Sequence, residues 1–258
     1  MFRIKLILFF FTLSFALNAV TEDSLNFKQK RYVILKLDDV VGGPKGQAMP
    51  ERWVRVTDFI REKGIKAAFG IIGYSLVKDN PDYFQWIRGL NKDGFIEFWN
   101  HGFRQRKSQD PQGEFELDYE SQLHSLLLTD SLAKEKLGIT LNAWGPHWSG
   151  TNGYTDRALS QISSIKIAFG YPPRHNHFEG IVLPRLIDIE YPTHNPDYKR
   201  FLSAYNKLKS VPFLSFLQGH PNSWDEERWA EFVKIIDFLI SEGVEFATPS
   251  EYIDYIKN

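Results

Sequence analysis

From Arg31 onward, short apolar runs alternate with longer segments whose apolar residues recur every three or four positions. Tyr32 to Leu37 is apolar at every position but Lys36, the pattern of a strand covered on both faces in a parallel sheet. Pro50 opens a helix through Lys63 that carries Trp53, Val56 and Ile60 on one face. Lys66 to Ile72 reads as strand, Pro81 opens a helix that Gly94 ends, and Phe95 to Trp99 reads as a third strand. A long helix from about Asp118 to Lys136 closes at Gly138. Strands are then predicted at Thr140–Trp144, Ile165–Phe169, Ile181–Ile189, Val211–Leu217 and Val244–Ala247. Helices are predicted at Thr155–Ile162, from Pro196, at Asp225–Ser241 and from Pro249.

No Pro/Gly/Ser-rich linker, low-complexity tract or sequence repeat interrupts this alternation. Seven or eight strand–helix units in one stretch predict an α/β fold, an irregular (β/α) barrel of seven or eight strands. An open doubly wound sheet is the alternative. Its Gly-rich nucleotide turn after the first strand is missing, because Asp38 and Asp39 stand there.

The first residues follow another rule. Arg3 and Lys5 precede an apolar run from Leu6 to Leu17 that is short for a bilayer span, and Ala19 is a suitable cleavage position. Residues 1–19 therefore read as a secretory signal peptide and residues 20–258 as a single domain, exported to a bacterial periplasm or exterior. An N-terminal membrane anchor is the alternative. The chain has no cysteine, which excludes lipoprotein attachment, disulfides and thiolate-bound metals. The 31 basic and 32 acidic residues nearly cancel, so no basic field points to nucleic acid or an anionic membrane. Aromatic content of 15% leaves some rings for a sugar-binding groove, although core packing is the first reading of any single ring.

In a barrel, chemistry gathers at the C-terminal ends of the strands. Those ends read Leu37-Asp38-Asp39-Val40, Trp99-Asn100-His101-Gly102, Trp144-Gly145-Pro146-His147-Trp148 and Leu217-Gln218-Gly219-His220. Two adjacent carboxylates at the end of an apolar strand are costly to desolvate unless a cation or hydrogen bonds compensate them. One can bind a metal while the other stays free as a base; a helix cap or salt-bridged turn is the structural alternative. Taken singly, His101 and His220 read as structural histidines. Their shared place at strand ends turns them into candidates for one rim.

These four segments resemble, in order, the motifs of the polysaccharide deacetylases, the carbohydrate esterases with a NodB-homology domain. Leu37-Asp38-Asp39 is similar to their first motif and Asn100-His101 to their second. Gly145-Pro146-His147-Trp148 sits where their third lies, and Leu217-Gln218-Gly219-His220 resembles their last. The resemblance implies a metal-dependent deacetylase removing N- or O-acetyl groups from a poly- or oligosaccharide. It implies Asp38 as general base and His220 as general acid, with Asp39 and His101 holding one divalent metal. That metal is zinc by default, with nickel or cobalt also suited to the donors. Pro146, His147 and Trp148 would shape the acetyl pocket.

Three departures stand out. Gln105 occupies the position of the family's second metal-binding histidine and becomes the third ligand, with His124 on the following helix as a substitute. Gly145 stands where the family has an arginine that orients the catalytic aspartate. Gly102-Phe103 after the histidine is more like an outlying branch of the superfamily. Two other functions compete: a non-catalytic carbohydrate-binding protein on the same fold, and a glycoside hydrolase pairing Asp38 with Glu190.

Overall fold

The computed structural model describes residues 30–43, 49–104, 107, 109–170, 177–208 and 210–257. The expected signal peptide and Gln105 lie outside them. Eight strands follow one another as β1 (Arg31–Val40), β2 (Ala67–Ile71), β3 (Ile96–Asn100), β4 (Ala143–Trp144), β5 (Ile167–Phe169), β6 (Ile181–Leu183), β7 (Phe213–Gly219) and β8 (Val244–Phe246). All pairings between these strands are parallel. The order is β6-β5-β4-β3-β2-β1-β7, with β8 against the start of β1. Among the described residues β6 and β7 form no ladder with each other, so the barrel is nearly but not fully closed. This is the irregular (β/α) barrel that the alternation predicts.

Among the described residues seven α-helices flank the sheet: α1 (Glu51–Lys63), α2 (Pro81–Asp93), α3 (Tyr119–Leu132), α4 (Thr155–Leu159), α5 (Tyr198–Tyr205), α6 (Glu226–Ser241) and α7 (Pro249–Lys257). Their starts are chemically marked. Asn80, Asp118, Asp197 and Asp225 each accept a backbone N–H of the first turn of α2, α3, α5 and α6, and Pro50 precedes α1. Gly64 and Gly94 end α1 and α2 with positive φ.

The largest apolar cluster lies between the sheet and the helices, with Val33, Leu35 and Leu37 of β1 against Trp53, Ile60, Ile87, Phe232 and Ile236. The opposite face of the same strands fills the barrel: Ile34, Ala68, Trp99, Ala143, Ile167, Leu183 and Phe216 come one from each of β1 to β7. Covering both faces explains why β1 lacks apolar–polar alternation. Small residues make room for Trp99, since a Cβ on Gly70 would stand 2.4 Å from its ring.

The main departure is the expected strand Ile181–Ile189. Only Ile181–Leu183 pairs, because Pro184 has no N–H to give and ends the ladder. The chain then runs irregularly across the barrel mouth to Glu190, which bridges Pro196. Pro196 is thus in that bridge rather than at a helix start, and Asp197 caps α5, which begins at Tyr198.

Candidate metal centre and active site

The end of β1 shows how neighbouring aspartates reach one place. Successive strand residues point to opposite faces. Here the β1–β2 register shifts between Leu37 and Val40, and Asp39 has a φ of 70°. Aspartate tolerates this left-handed conformation better than most residues, yet it costs about 1–3 kcal/mol and marks a place where structure serves a site. Asn222 holds the turn by donating to the Asp39 carbonyl at 3.0 Å. As a result Asp38 and Asp39 both face the barrel mouth.

His101 follows β3. Its N–H donates to the Ile71 carbonyl at 3.0 Å, which continues the sheet past Asn100. Its Nδ1 lies 2.8 Å from the Gly145 carbonyl, so Nδ1 carries the proton and the Nε2 lone pair faces the site. The loop beyond is pinned by Asn100, which accepts from Gly102 N–H, and by the buried Glu114 carboxylate, which accepts from the amides of Phe103 and Arg104. His147 opens a short 3₁₀ turn (His147–Ser149) directly after β4.

Three donor atoms meet there. Asp39 Oδ1 is 3.3 Å from His101 Nε2 and 3.2 Å from His147 Nδ1, and the two ring nitrogens are 3.5 Å apart. Ligands about 2.1 Å from a tetrahedral zinc stand about 3.4 Å from one another. The triangle therefore has the dimensions of three corners of such a site. Asp39 Oδ1 is buried and has no aligned hydrogen-bond donor, the signature of an oxygen reserved for a cation. Carboxylate plus two imidazoles, with a position left for water or substrate, suits a catalytic divalent ion.

The expected residues divide accordingly. Asp38, Asp39, His101 and His220 come together at one rim. His147, expected to shape the acetyl pocket, stands in the donor triangle. Gln105 lies outside the described residues, and His124 is exposed on α3, apart from the donor group. Pro146 lines a small cavity beside Lys36, and Trp148 stands 56% exposed at the rim.

Asp38 Oδ2 lies 3.7 Å from His101 Nε2 and 3.7 Å from His220 Nε2, between the donor triangle and the second histidine. His220 follows β7 and is oriented by Glu190. Glu190 Oε1 accepts from His220 N–H and Trp224 Nε1–H, both at 2.8 Å. Its Oε2 accepts from His220 Nδ1 at 2.6 Å and His194 N–H at 2.9 Å. Burial lowers the His220 pKa, but Glu190 and Asp38 outweigh it and leave it raised. Burial likewise raises the Glu190 pKa, and His220 reverses this to a lowered value. With each oxygen taking two donors, Glu190 has no face free for a sugar, so the hydrolase pairing with Asp38 is not built.

Glu190 as the partner of His220 and Lys36 as the partner of Asp38 are the residues sequence reasoning missed. Lys36 gave a signal as the lone cation in the apolar run Tyr32–Leu37; Glu190, one of several charged residues after Pro184, gave none that set it apart as the partner of His220. The site opens into a cavity of about 500 Å³, walled by Trp148, Thr193, His194, Asn222 and Ser223 above the Asp and His groups. A larger depression of about 850 Å³ on the outer face of α1, near Trp86 and Trp229, gathers no histidine and lies away from the strand ends.

No family model and no curated protein matches the sequence. Solved structures do match its fold. The esterase domain of a multidomain xylanase from the hindgut metagenome of Trinervitermes trinervoides superposes with a TM-score of 0.60 at 15% identity, over 88% of this chain and 92% of that one. A family 4 acetyl xylan esterase from Clostridium thermocellum, in complex with a cobalt ion, gives 0.59 at 18% identity over 86% and 89%. A family 4 pseudoenzyme from Bacillus anthracis gives 0.58 at 15% identity over 87% and 66%. The chain thus has the (β/α) barrel of the family 4 carbohydrate esterases and polysaccharide deacetylases, with an Asp/His/His donor group at the ends of its strands.

Proposed function

We propose that this protein is a metal-dependent deacetylase acting on acetyl groups of a poly- or oligosaccharide. The observation that carries this reading is the donor triangle of Asp39, His101 and His147, flanked by a second carboxylate, Asp38, which Lys36 holds, and by a histidine with its own orienting acid, His220 with Glu190. A divalent ion held there, zinc by default with nickel or cobalt as alternatives, would polarise the acetyl carbonyl and acidify a water. Asp38 takes the proton of the attacking water. Glu190 accepts the His220 Nδ1–H, which directs the second imidazolium proton, on Nε2, toward the cavity and the departing nitrogen or oxygen of the sugar. Trp148, exposed at the rim, offers its face to a pyranose ring.

Residues 1–19 act in this proposal as a cleaved signal peptide, and the mature chain of residues 20–258 works outside the cytoplasm. Among the described residues no helix is long and apolar enough to cross a membrane. Intact mass of the exported protein should correspond to a start near Val20; a retained full-length chain contradicts this part.

The central test is elemental analysis of the purified protein combined with acetate release from acetylated polysaccharides, before and after chelation. About one divalent ion per chain and chelator-sensitive acetate release are expected. Turnover that ignores chelation and metal removal overturns the reading. A second reading, sugar binding without turnover, is favoured by Lys36 occupying both oxygens of Asp38 and by the pseudoenzyme among the similar folds. A metal-loaded protein that binds polysaccharide but releases no acetate would establish it.

A further inference from the structure

Lys36 is the one polar interruption in the β1 run, and its side chain points into the barrel with 4% exposure. The ammonium lies 4.4 Å above the Trp99 ring centroid, 5.7 Å from that of Phe169 and 5.8 Å from that of Phe216. These rings come from β3, β5 and β7, so the lysine stands within an aromatic sleeve inside the barrel. A methionine or leucine would pack there without burying a charge. Within this sleeve Nζ donates to Asp38 Oδ1 at 2.6 Å and to Asp38 Oδ2 at 2.7 Å.

A buried cation is tolerated where a partner compensates it in good geometry. Here the partner is the carboxylate that the proposed reaction uses as its base. The two bonds fix both the position and the rotation of that carboxylate, which one bond would leave free to turn. They also fix which edge of Oδ2 faces His101 and His220. The space beside the lysine supports this placement. A Cβ on Gly145 would stand 3.3 Å from Lys36 Cε and 3.1 Å from the Trp99 ring, so a side chain there would crowd the cation.

We infer that Lys36 is a positioning residue, which clamps the Asp38 carboxylate in the orientation needed for proton abstraction and leaves metal and substrate binding to other groups. The inference rests on the deacetylase reading for its kinetic consequence, but its geometric content stands apart from turnover.

The test is a double-mutant cycle on the metal-loaded protein with Lys36→Met, Asp38→Asn and the double variant. Lys36→Met should lower kcat by about 10²-fold with KM changed less than about threefold and metal stoichiometry unchanged. In the Asp38→Asn background the same replacement should cost nothing further, because the lysine acts through that carboxylate. Activity of Lys36→Met within about threefold of the parent, or an equal loss in both backgrounds, overturns the inference.

Two controls separate it from folding and from the proposed function. Lys36→Met alone leaves Asp38 buried without its cation and is the variant most exposed to misfolding. If it does misfold, Lys36→Gln, which keeps one donor toward the carboxylate, takes its place in the cycle: a loss of kcat confined to the Asp38 background supports the inference, and no loss there, or an equal loss in both backgrounds, overturns it. If the parent protein releases no acetate from any substrate, the proposed function fails. A crystal structure of Lys36→Met then decides the geometric claim. A rotated or displaced Asp38 carboxylate supports the clamp, and an unmoved one overturns it.

Discussion

Replacing Glu190 by glutamine probes the proposed acid with almost no change of shape. All four hydrogen-bonding partners of Glu190 donate to it in the wild type, two to each oxygen. An amide NH₂ in the Oε1 position would oppose two of them, the His220 amide and Trp224 Nε1. In the Oε2 position it opposes the His194 amide but can donate to His220 Nδ1, provided the imidazole is neutral and carries its proton on Nε2. The second orientation is therefore the cheaper one. It leaves one donor unmet in an exposed turn, worth about 1 kcal/mol, and replaces a charge-assisted bond by a neutral one, worth about another 1 kcal/mol. It also selects the neutral imidazole and removes the acid that raises the His220 pKa.

Glu190→Gln should accordingly fold, lose about 2 kcal/mol, and move the alkaline limb of the pH–turnover profile to lower pH, because the acid that holds the His220 pKa up is gone. The pH dependence of stability has a definite sign. His220, raised on folding, stabilises fully below its unfolded value of about 6.5, and this is lost as pH rises through the folded value. Glu190, lowered on folding, stabilises above its unfolded value of about 4.3, and this is lost as pH falls through the folded value. The difference between wild type and variant should thus be largest between about pH 4.5 and 6.5 and shrink in alkali. Urea unfolding at pH 5.5 and 9 and a profile of kcat/KM measure both effects. An unmoved alkaline limb would refute the assignment of Glu190 as the group that sets His220.

Asp39→Ala and His147→Ala should each abolish stoichiometric metal by elemental analysis, whereas His124→Ala should leave it unchanged; full metal in His147→Ala would return the third ligand to another residue. Asp38→Asn and His220→Ala should each reduce acetate release by about 10²-fold to 10⁴-fold while metal content is kept, and the double variant should lose less than the product of the two. Gly102→Ala should destabilise through the site loop, because Gly102 has a φ of 82° and a Cβ there would stand 2.3 Å from Glu114 Oε2, the oxygen that holds the Phe103 amide. A cost of about 2–3 kcal/mol is expected, a fall of roughly 5–10 °C in Tm, and an unchanged Tm in calorimetry would contradict it.

Local physics and periodicity along the chain already encode the elements and their order. Apolar runs bounded by Pro and Gly located the strands and helices, and the repeated alternation of the two pointed to a (β/α) barrel. Strand ends then singled out Asp38, Asp39, His101 and His220, because a parallel barrel presents all those ends on one rim. Tertiary structure decided which side chains meet. His147 follows β4 by sequence, but its place beside Asp39 depends on the turn after β4 and on the positive φ of Asp39. Glu190 sits 30 residues before His220, at the end of a segment that Pro184 diverts across the mouth, and no period in the chain records that meeting. Lys36 was visible as an anomaly in β1, but its partner was not. Two residues apart on one side of a strand are neighbours in every sheet; only closure of the barrel surrounds them with Trp99, Phe169 and Phe216, where water is excluded and each charge depends on the other.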